Sequence, residues 1–382
     1  GWRAHPLRPV GATMQYRRMP IEVESPEETG YETIACNLAE SSIRDRRLGD
    51  LGLALDLDRL LLLYGDHRGH PGFRALLAAE AGCSPDQVLL TPGAAGALFI
   101  ASTTLLGAGD HLVVLRPNYA TNLETPRAIG CAITCIDLEL ERGWRYTADD
   151  IARALTPATR LVSLTTPHNP TGTVLPRADL EAIAALCAHR GVHLLVDETY
   201  RDLADAPPAT FATTLGEHVI SVASLSKAYG LPGLRLGWLL TRDRVLNERF
   251  LAAKEQMVIC GAVLDEEVGY QVYRRRREAL PAIVAQVRAG RDTLRRWMAG
   301  EPRMEWVEPA GGVVAFPRIR AEAGVDVARF YQELNGTHKT WVGPGHWFER
   351  DDRYMRIGFG WPTSAELAAG LANVSAALAV RR

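Results

Sequence analysis

Short apolar runs alternate with helical patterns along most of this chain, and that alternation restricts the folds open to it more than any other feature. The runs are Val88–Leu90, His111–Leu115, Ile133–Asp137, Leu161–Thr165, His193–Asp197, Val219–Ser224 and Gly237–Leu240. Runs this short and this rich in Val, Leu and Ile suit strands buried on both faces. Several are separated by stretches with helical spacing, such as Ala95–Leu106, Ala148–Leu155 and Arg177–His189. Strands alternating with helices build parallel crossover units, so the expected class is α/β, a mostly parallel sheet with helices on both faces. From Asp265 to about Gly300 the chain turns helical and charged. Beyond it, Trp306–Ile319, Trp341–Gly345 and Tyr354–Phe359 read as strands, with helices at Val325–Leu334 and Ser364–Val380. That pattern predicts a second, smaller α+β domain beginning near residue 290.

A length of 382 residues fits two such units, at about 100–200 residues per domain. Lys and Arg number 43 against 45 Asp and Glu. No net field then draws the chain to nucleic acid or an anionic membrane, and a small-molecule partner is expected. The arginine run within Tyr273–Glu278 reads as a solvated helix face. Six cysteines (Cys36, Cys83, Cys131, Cys135, Cys187 and Cys260) form no CxxC pair and have no His at ligand spacing. They read as small free thiols, with no metal site, in a reducing cytoplasm. No apolar run approaches the ~18 residues of a membrane span. Gly1–Ala12 is rich in Arg and Pro without an apolar core, unlike a secretory signal. Met14 or Met19 is the expected natural start, after an added extension or a flexible arm.

The residues that carry chemistry stand where strands end. Ser221–Trp238 reads SVASLSKAYGLPGLRLGW, placing Lys227 in a small-residue turn just past a strand. That position suits a cleft at the carboxyl edge of a parallel sheet. A lysine amine whose pKa falls in a desolvated cationic site is the nucleophile needed to hold pyridoxal 5'-phosphate (PLP) as a Schiff base. Ser224 and Arg235 flank it with a hydroxyl and a guanidinium fork, the groups a phosphate anchor requires. Upstream, Val196–Tyr200 reads VDETY. Asp197 is either a helix cap or the carboxylate that keeps a pyridine nitrogen protonated. Tyr200 and Asn169, the latter in the turn PHNPTG, offer hydrogen bonds to a phenolic oxygen.

These stretches resemble the class I/II aminotransferases of fold type I. Asn169, Asp197, Lys227 and Arg235 follow one another at intervals of 28, 30 and 8 residues, which match the family's Asn, Asp, Lys and Arg. The resemblance runs from about Tyr64 to Phe359. It implies a fold type I PLP enzyme with a large PLP-binding domain at 46–289 and a small C-terminal domain at 290–382. Residues 1–45 would be an N-terminal arm contributing to the small domain and the substrate site. In LTPGAAGA, Gly93, Ala94 and Ala95 open a helix whose backbone amides would bind the phosphate; the family often has Ser or Thr here. Tyr119, in RPNYA, is either a packed loop aromatic or the ring stacked on the pyridine. Tyr64, in YGDHRGHPGFR, matches a residue that reaches the phosphate of a partner subunit, which implies a homodimer with shared active sites. Arg356, in YMRIGFG, is either a salt-bridged strand arginine or the clamp for the substrate α-carboxylate. Lys227 is the implied catalytic residue, and an L-amino acid and a 2-oxo acid are the implied substrates.

Departures from the family pattern bear on the substrate. Family members place a glycine in an early loop, but the matching segment Cys36–Ser42 reads CNLAESS. Its Glu40 is either an exposed loop carboxylate or a partner for a cationic substrate side chain; Asn169 would also face the substrate. The surroundings of Lys227, and GGVVAFPR at Gly311–Arg318, are similar to capreomycidine synthases, natural-product enzymes that eliminate and cyclise a hydroxylated arginine. Transamination and elimination with cyclisation therefore both stay open. The intact lysine argues against a non-catalytic ligand sensor.

Overall fold

All seven apolar runs become strands of a single sheet in the computed structural model, which describes residues 14–379. The expectations for Gly1–Ala12 and for Val380 lie outside the described residues. The strands are β1 (Val88–Pro92), β2 (His111–Arg116), β3 (Ala132–Asp137), β4 (Thr159–Thr165), β5 (His193–Asp197), β6 (Val219–Ser224) and β7 (Leu236–Thr241). Their order across the sheet is β1-β7-β6-β5-β4-β2-β3. Only β7 runs against its neighbours; the other pairs are parallel.

Alternation along each strand divides the core between two faces. Leu112 and Val114 of β2 join Leu161, Leu195 and Ile220 on one side, while Val113 and Leu115 join Val162, Leu194 and Val196 on the other. The covering helices are α1 (Gly93–Leu105), α2 (Arg177–Arg190) and α3 (Arg244–Val258). Leu98, Ile100 and Phe250 of α1 and α3 cover the first face, and Leu180, Ile183 and Cys187 of α2 the second. Each buried Leu, Ile or Phe contributes roughly 1.5–3 kcal/mol, which is why both sides of the sheet must be covered. Strands that run parallel end at one edge, so the loops after β1, β2, β4, β5 and β6 all open there. The antiparallel β7 begins at the same edge, immediately after Arg235.

The helical stretch after Asp265 is real but broken. One helix spans Val263–Arg274, and the 25-residue α4 (Arg276–Gly300) follows it. The arginine run is not wholly a solvated face. Arg276 turns inward, its Nη2 paired with Glu80 at 2.9 Å and its Nη1 bonded to Tyr273 O, while Arg274, Arg275 and Arg277 stay exposed. Nor is Trp306–Ile319 one strand. Only Val314–Ala315 and Arg318–Ile319 form strands, because Pro309, Gly311, Gly312 and Pro317 interrupt the apolar pattern. Met355–Gly358 is the centre of a three-stranded sheet, flanked antiparallel by Val314–Ala315 and Gly343–Pro344. Cys36–Asn37 pairs in parallel with Thr340–Trp341, fastening the N-terminal part of the chain to this smaller assembly. The loop that follows crosses so close that a Cβ on Gly358 would sit 2.0 Å from Glu40 O. No helix among the described residues is long and apolar enough to cross a membrane.

Phe250 is fully buried under the sheet, whereas Val245 on the same helix is exposed. Phe250→Ala should destabilise the fold by about 3–5 kcal/mol in urea titration, and Val245→Ala by no more than about 0.5 kcal/mol. Equal effects would contradict this assignment of the core.

Candidate active site

The loops at the carboxyl edge of the sheet enclose a cavity of about 380 Å³, whose lining includes Lys227, Asp197, Asn169, Tyr119, Arg235 and Arg356. Residues as far apart in the chain as Glu40 and Arg356 meet here, most of them following, or sitting on, a strand that ends at or faces this edge. Tyr200, Ser224, Ala94, Ala95 and Glu40 also line it.

One end of the cavity is built from backbone. β1 runs straight into α1 through Gly93, whose φ of +69° is readily reached only without a side chain. A Cβ on Gly93 would meet Arg235 Nη2 at 2.7 Å, and one on Gly237 would meet Gly93 C at 2.4 Å. The absence of both lets the first turn of α1, Arg235 and β7 come together. A helix N-terminus beside a guanidinium attracts a doubly charged phosphate. Arg235 is exposed and donates Nη1 to Pro232 O at 2.9 Å. Ser224 is buried beneath this turn, its Oγ accepting from Ser226 N at 3.3 Å.

Lys227 stands over the middle of the cavity and donates Nζ to Ser41 Oγ at 3.1 Å. Burial pulls its ammonium below the usual lysine range, helped by Arg356 and Arg235 and opposed by Glu40 and Glu27. Asp197, 6% exposed, ends β5 below it and accepts from Thr199 N and Thr199 Oγ1 through one oxygen, Oδ1. Burial pushes its carboxyl up, against the two Thr199 bonds and the Lys227 charge that pull it down. A buried carboxylate of this kind calls for a cationic neighbour, and a protonated ring nitrogen is one. Tyr119 is half-buried at the cavity wall. Tyr200 OH donates to Ser41 O at 2.6 Å, so its proton points at the 37–44 loop rather than into the cavity.

Arg356, on the central strand of the small sheet, is 4% exposed. Its Nη1 donates to Asn169 Oδ1 at 3.2 Å and its Nη2 to Ala39 O at 2.7 Å, while Nε finds no partner among the described residues. Burial pulls its pKa down. A buried guanidinium whose hydrogen bonds go only to neutral oxygens is a receptor for an anion. Next to Ala39 on the same loop, Glu40 Oε1 accepts from Tyr31 OH at 3.0 Å and from Asn37 Nδ2 at 3.3 Å. Tyr64 is 82% exposed and lies outside the cavity. The cradle, the lysine, the buried carboxylate and the half-buried aromatic together fit PLP, with room left beside Arg356 for a substrate.

The cavity also has walls that motif reading missed. Glu27 and Trp347 line it, as do Ser41 and Thr199. Thr199 carried a signal, since a hydroxyl two residues past an aspartate favours this local turn. Glu27 and Trp347 carried none, because tertiary packing alone brings them in, while Ser41 lay in the flagged loop Cys36–Ser42, where Glu40 was singled out instead. Trp347 holds the segment bearing Glu27, donating Nε1 to Glu24 Oε2 at 2.7 Å, and His346 Nε2 meets the same oxygen at 2.7 Å.

Comparison with known proteins agrees with this geometry. The sequence profile of the family described as aminotransferase class I and II matches residues 42–373. A capreomycidine synthase of Streptomyces vinaceus is 32% identical over 356 residues, 90% of this chain and 90% of that protein. The arginine–pyruvate transaminase AruH of Pseudomonas aeruginosa is 30% identical over 299 residues, 75% of this chain and 74% of its own. The crystal structure of the PLP-dependent cyclase OrfR matches with a TM-score of 0.85 at 29% identity, covering 97% of this chain and 98% of that one. The chain belongs to the aminotransferase class I and II family, and it is a PLP-dependent enzyme of fold type I.

Proposed function

We propose that this enzyme is an aminotransferase that moves the amino group of an L-amino acid to a 2-oxo acid, with PLP held on Lys227 as a Schiff base. The observation that carries the reading is the meeting of Lys227, Asp197, Asn169 and Arg356 in one cavity at the carboxyl edge of the sheet. PLP, when bound, draws electrons from the substrate's amino carbon and so loosens the hydrogen there. The Gly93, Ala94 and Ala95 amides, Ser224 and Arg235 would hold its phosphate. Asp197 would face its ring nitrogen and Tyr119 its ring plane. Asn169 Nδ2 would donate to its phenolic oxygen; Tyr200 would do so only by releasing Ser41 O. Lys227 Nζ, a weakened base in this desolvated site, would move the proton at the substrate α-carbon. Arg356 would clamp the α-carboxylate. In this reading 46–289 forms the cofactor domain, and 1–45 with 290–382 completes the substrate side.

A second reading is favoured by the acidic wall. Glu40 and Glu27 both line the cavity and act electrostatically on Lys227 and Arg356. Such carboxylates suit a basic side chain, and a guanidinium held there is the nucleophile that a ring closure needs. The likeness to a capreomycidine synthase and to a PLP-dependent cyclase supports this alternative equally.

We also infer a homodimer in the cytoplasm. The six cysteines are free thiols. Leu57, Leu61, Leu62, Leu63 and Tyr64 form an exposed apolar stretch, of the kind that a second copy covers. Tyr64 would then reach the partner's phosphate site.

An ¹⁵N-labelled amino acid incubated with a 2-oxo acid should pass its label to the acceptor, and Lys227→Ala should abolish the transfer while still retaining PLP noncovalently. Label kept in a cyclic product, with no acceptor consumed, would replace transamination by the second reading. Arg356→Ala breaks a buried charged pair on one side, a loss of about 2–5 kcal/mol. The kcat/KM should fall by roughly 30- to 5,000-fold; Glu40→Gln should weaken basic amino acids more than aliphatic ones. An unchanged kcat/KM in Arg356→Ala would remove it from the substrate site, and a silent Glu40→Gln would leave that carboxylate a loop residue. Sedimentation at micromolar concentration should return a dimer, with Tyr64→Phe weakening PLP retention; an active monomer would contradict the shared site.

A further inference from the structure

We infer that Ser41 receives and orients the Lys227 amine during proton transfer, as a positioning residue for the reaction proposed above, on which this inference rests. A lysine that acts as acid and base does so as a free amine, and in that form its Nζ donates to Ser41 Oγ at 3.1 Å. Ser41 is buried, and its own carbonyl is fixed by Tyr200 OH at 2.6 Å. The loop that carries it is laced to the loop that carries Lys227. Ile43 N donates to Lys227 O at 3.1 Å and Arg46 N to Gly230 O at 3.0 Å. A Cβ on Gly230 would lie 2.5 Å from Arg44 O, so the two loops touch through backbone. The hydroxyl is therefore placed relative to the lysine by adjacent backbone, not by a distant element.

A four-carbon stem leaves an amine many orientations, and an acceptor that engages one N–H reduces them. The other charged and titratable groups lining the cavity with Lys227 are Asp197, Arg235, Arg356, Glu22, Glu27, Glu40, Tyr119 and Tyr200. None of these is its hydrogen-bond acceptor among the described residues; the neutral Ser41 is. Where the family resemblance leads one to expect a glycine in this early loop, the chain supplies an oxygen beside the reacting amine.

The sign of the effect follows from the donor. A hydroxyl that accepts from the ammonium favours its charged form, so removing it lets the proton leave at lower pH. In the full-length protein stripped of PLP, trace acetylation of Lys227 followed by peptide mapping across pH should show a midpoint about one unit lower in Ser41→Ala. In the loaded enzyme, Ser41→Ala should lower kcat about tenfold while KM changes less than about twofold, and Ser41→Thr should restore most of the loss. Should the threonine methyl prevent PLP loading, Ser41→Cys takes its place. An unchanged midpoint with unchanged kcat in Ser41→Ala, or no rescue by a variant that loads PLP, would overturn the inference. Turnover retained by Lys227→Ala would instead overturn the functional reading beneath it, so the two failures are separable.

Discussion

Parallel strands bonded side by side must end at one edge, and that constraint gathers the site. β2, β4, β5 and β6 deliver the Pro117–Tyr119, Pro167–Gly172, Glu198–Tyr200 and Leu225–Lys227 stretches to the same side of the sheet. The antiparallel β7 adds Arg235 by starting where the others stop. Apolar burial on both faces makes the sheet rigid, so side chains at its edge keep their separations without any one of them stabilising the fold. The smaller assembly contributes the remaining wall, and Gly358 permits the 38–40 loop to lie against its central strand.

Electrostatics then divides the cavity into ends. Among the described residues, Lys227, Arg235 and Arg356 bond only to the neutral oxygens of Ser41, Pro232, Asn169 and Ala39. Cations held this way leave their charge for ligands, and two of them match the two anions of a cofactor phosphate and an amino-acid carboxylate. Asp197 has the opposite need, a buried carboxylate with one oxygen committed to Thr199. Glu27 and Glu40 line the same cavity as the cations. Free energy that a tightly paired network would give to stability is here left for binding.

The legible parts of the sequence were those fixed locally. All seven strands of the large sheet could be read because each is a short Val/Leu/Ile run bounded by Gly, Pro or polar residues. Lys227, Asp197, Asn169 and Arg235 could be read because each sits at a strand end within a motif. The apolar stretch Trp306–Ile319 misled because apolarity was weighed above its prolines and glycines. Arg276 misled because charge runs are usually solvated, yet Glu80 lay close in space to receive it. Glu27 and Trp347 were invisible for a different reason. They meet through the bonds of Trp347 and His346 to Glu24, long-range contacts with no local signature.

The identity of the lysine underlies everything said of the chemistry, and it can be measured directly. Borohydride reduction of the PLP-loaded protein, followed by digestion and mass spectrometry, should place the phosphopyridoxyl group on the peptide carrying Lys227 and on no other. Label on a different lysine, or none on a protein shown to be folded and loaded, would contradict the assignment of the site.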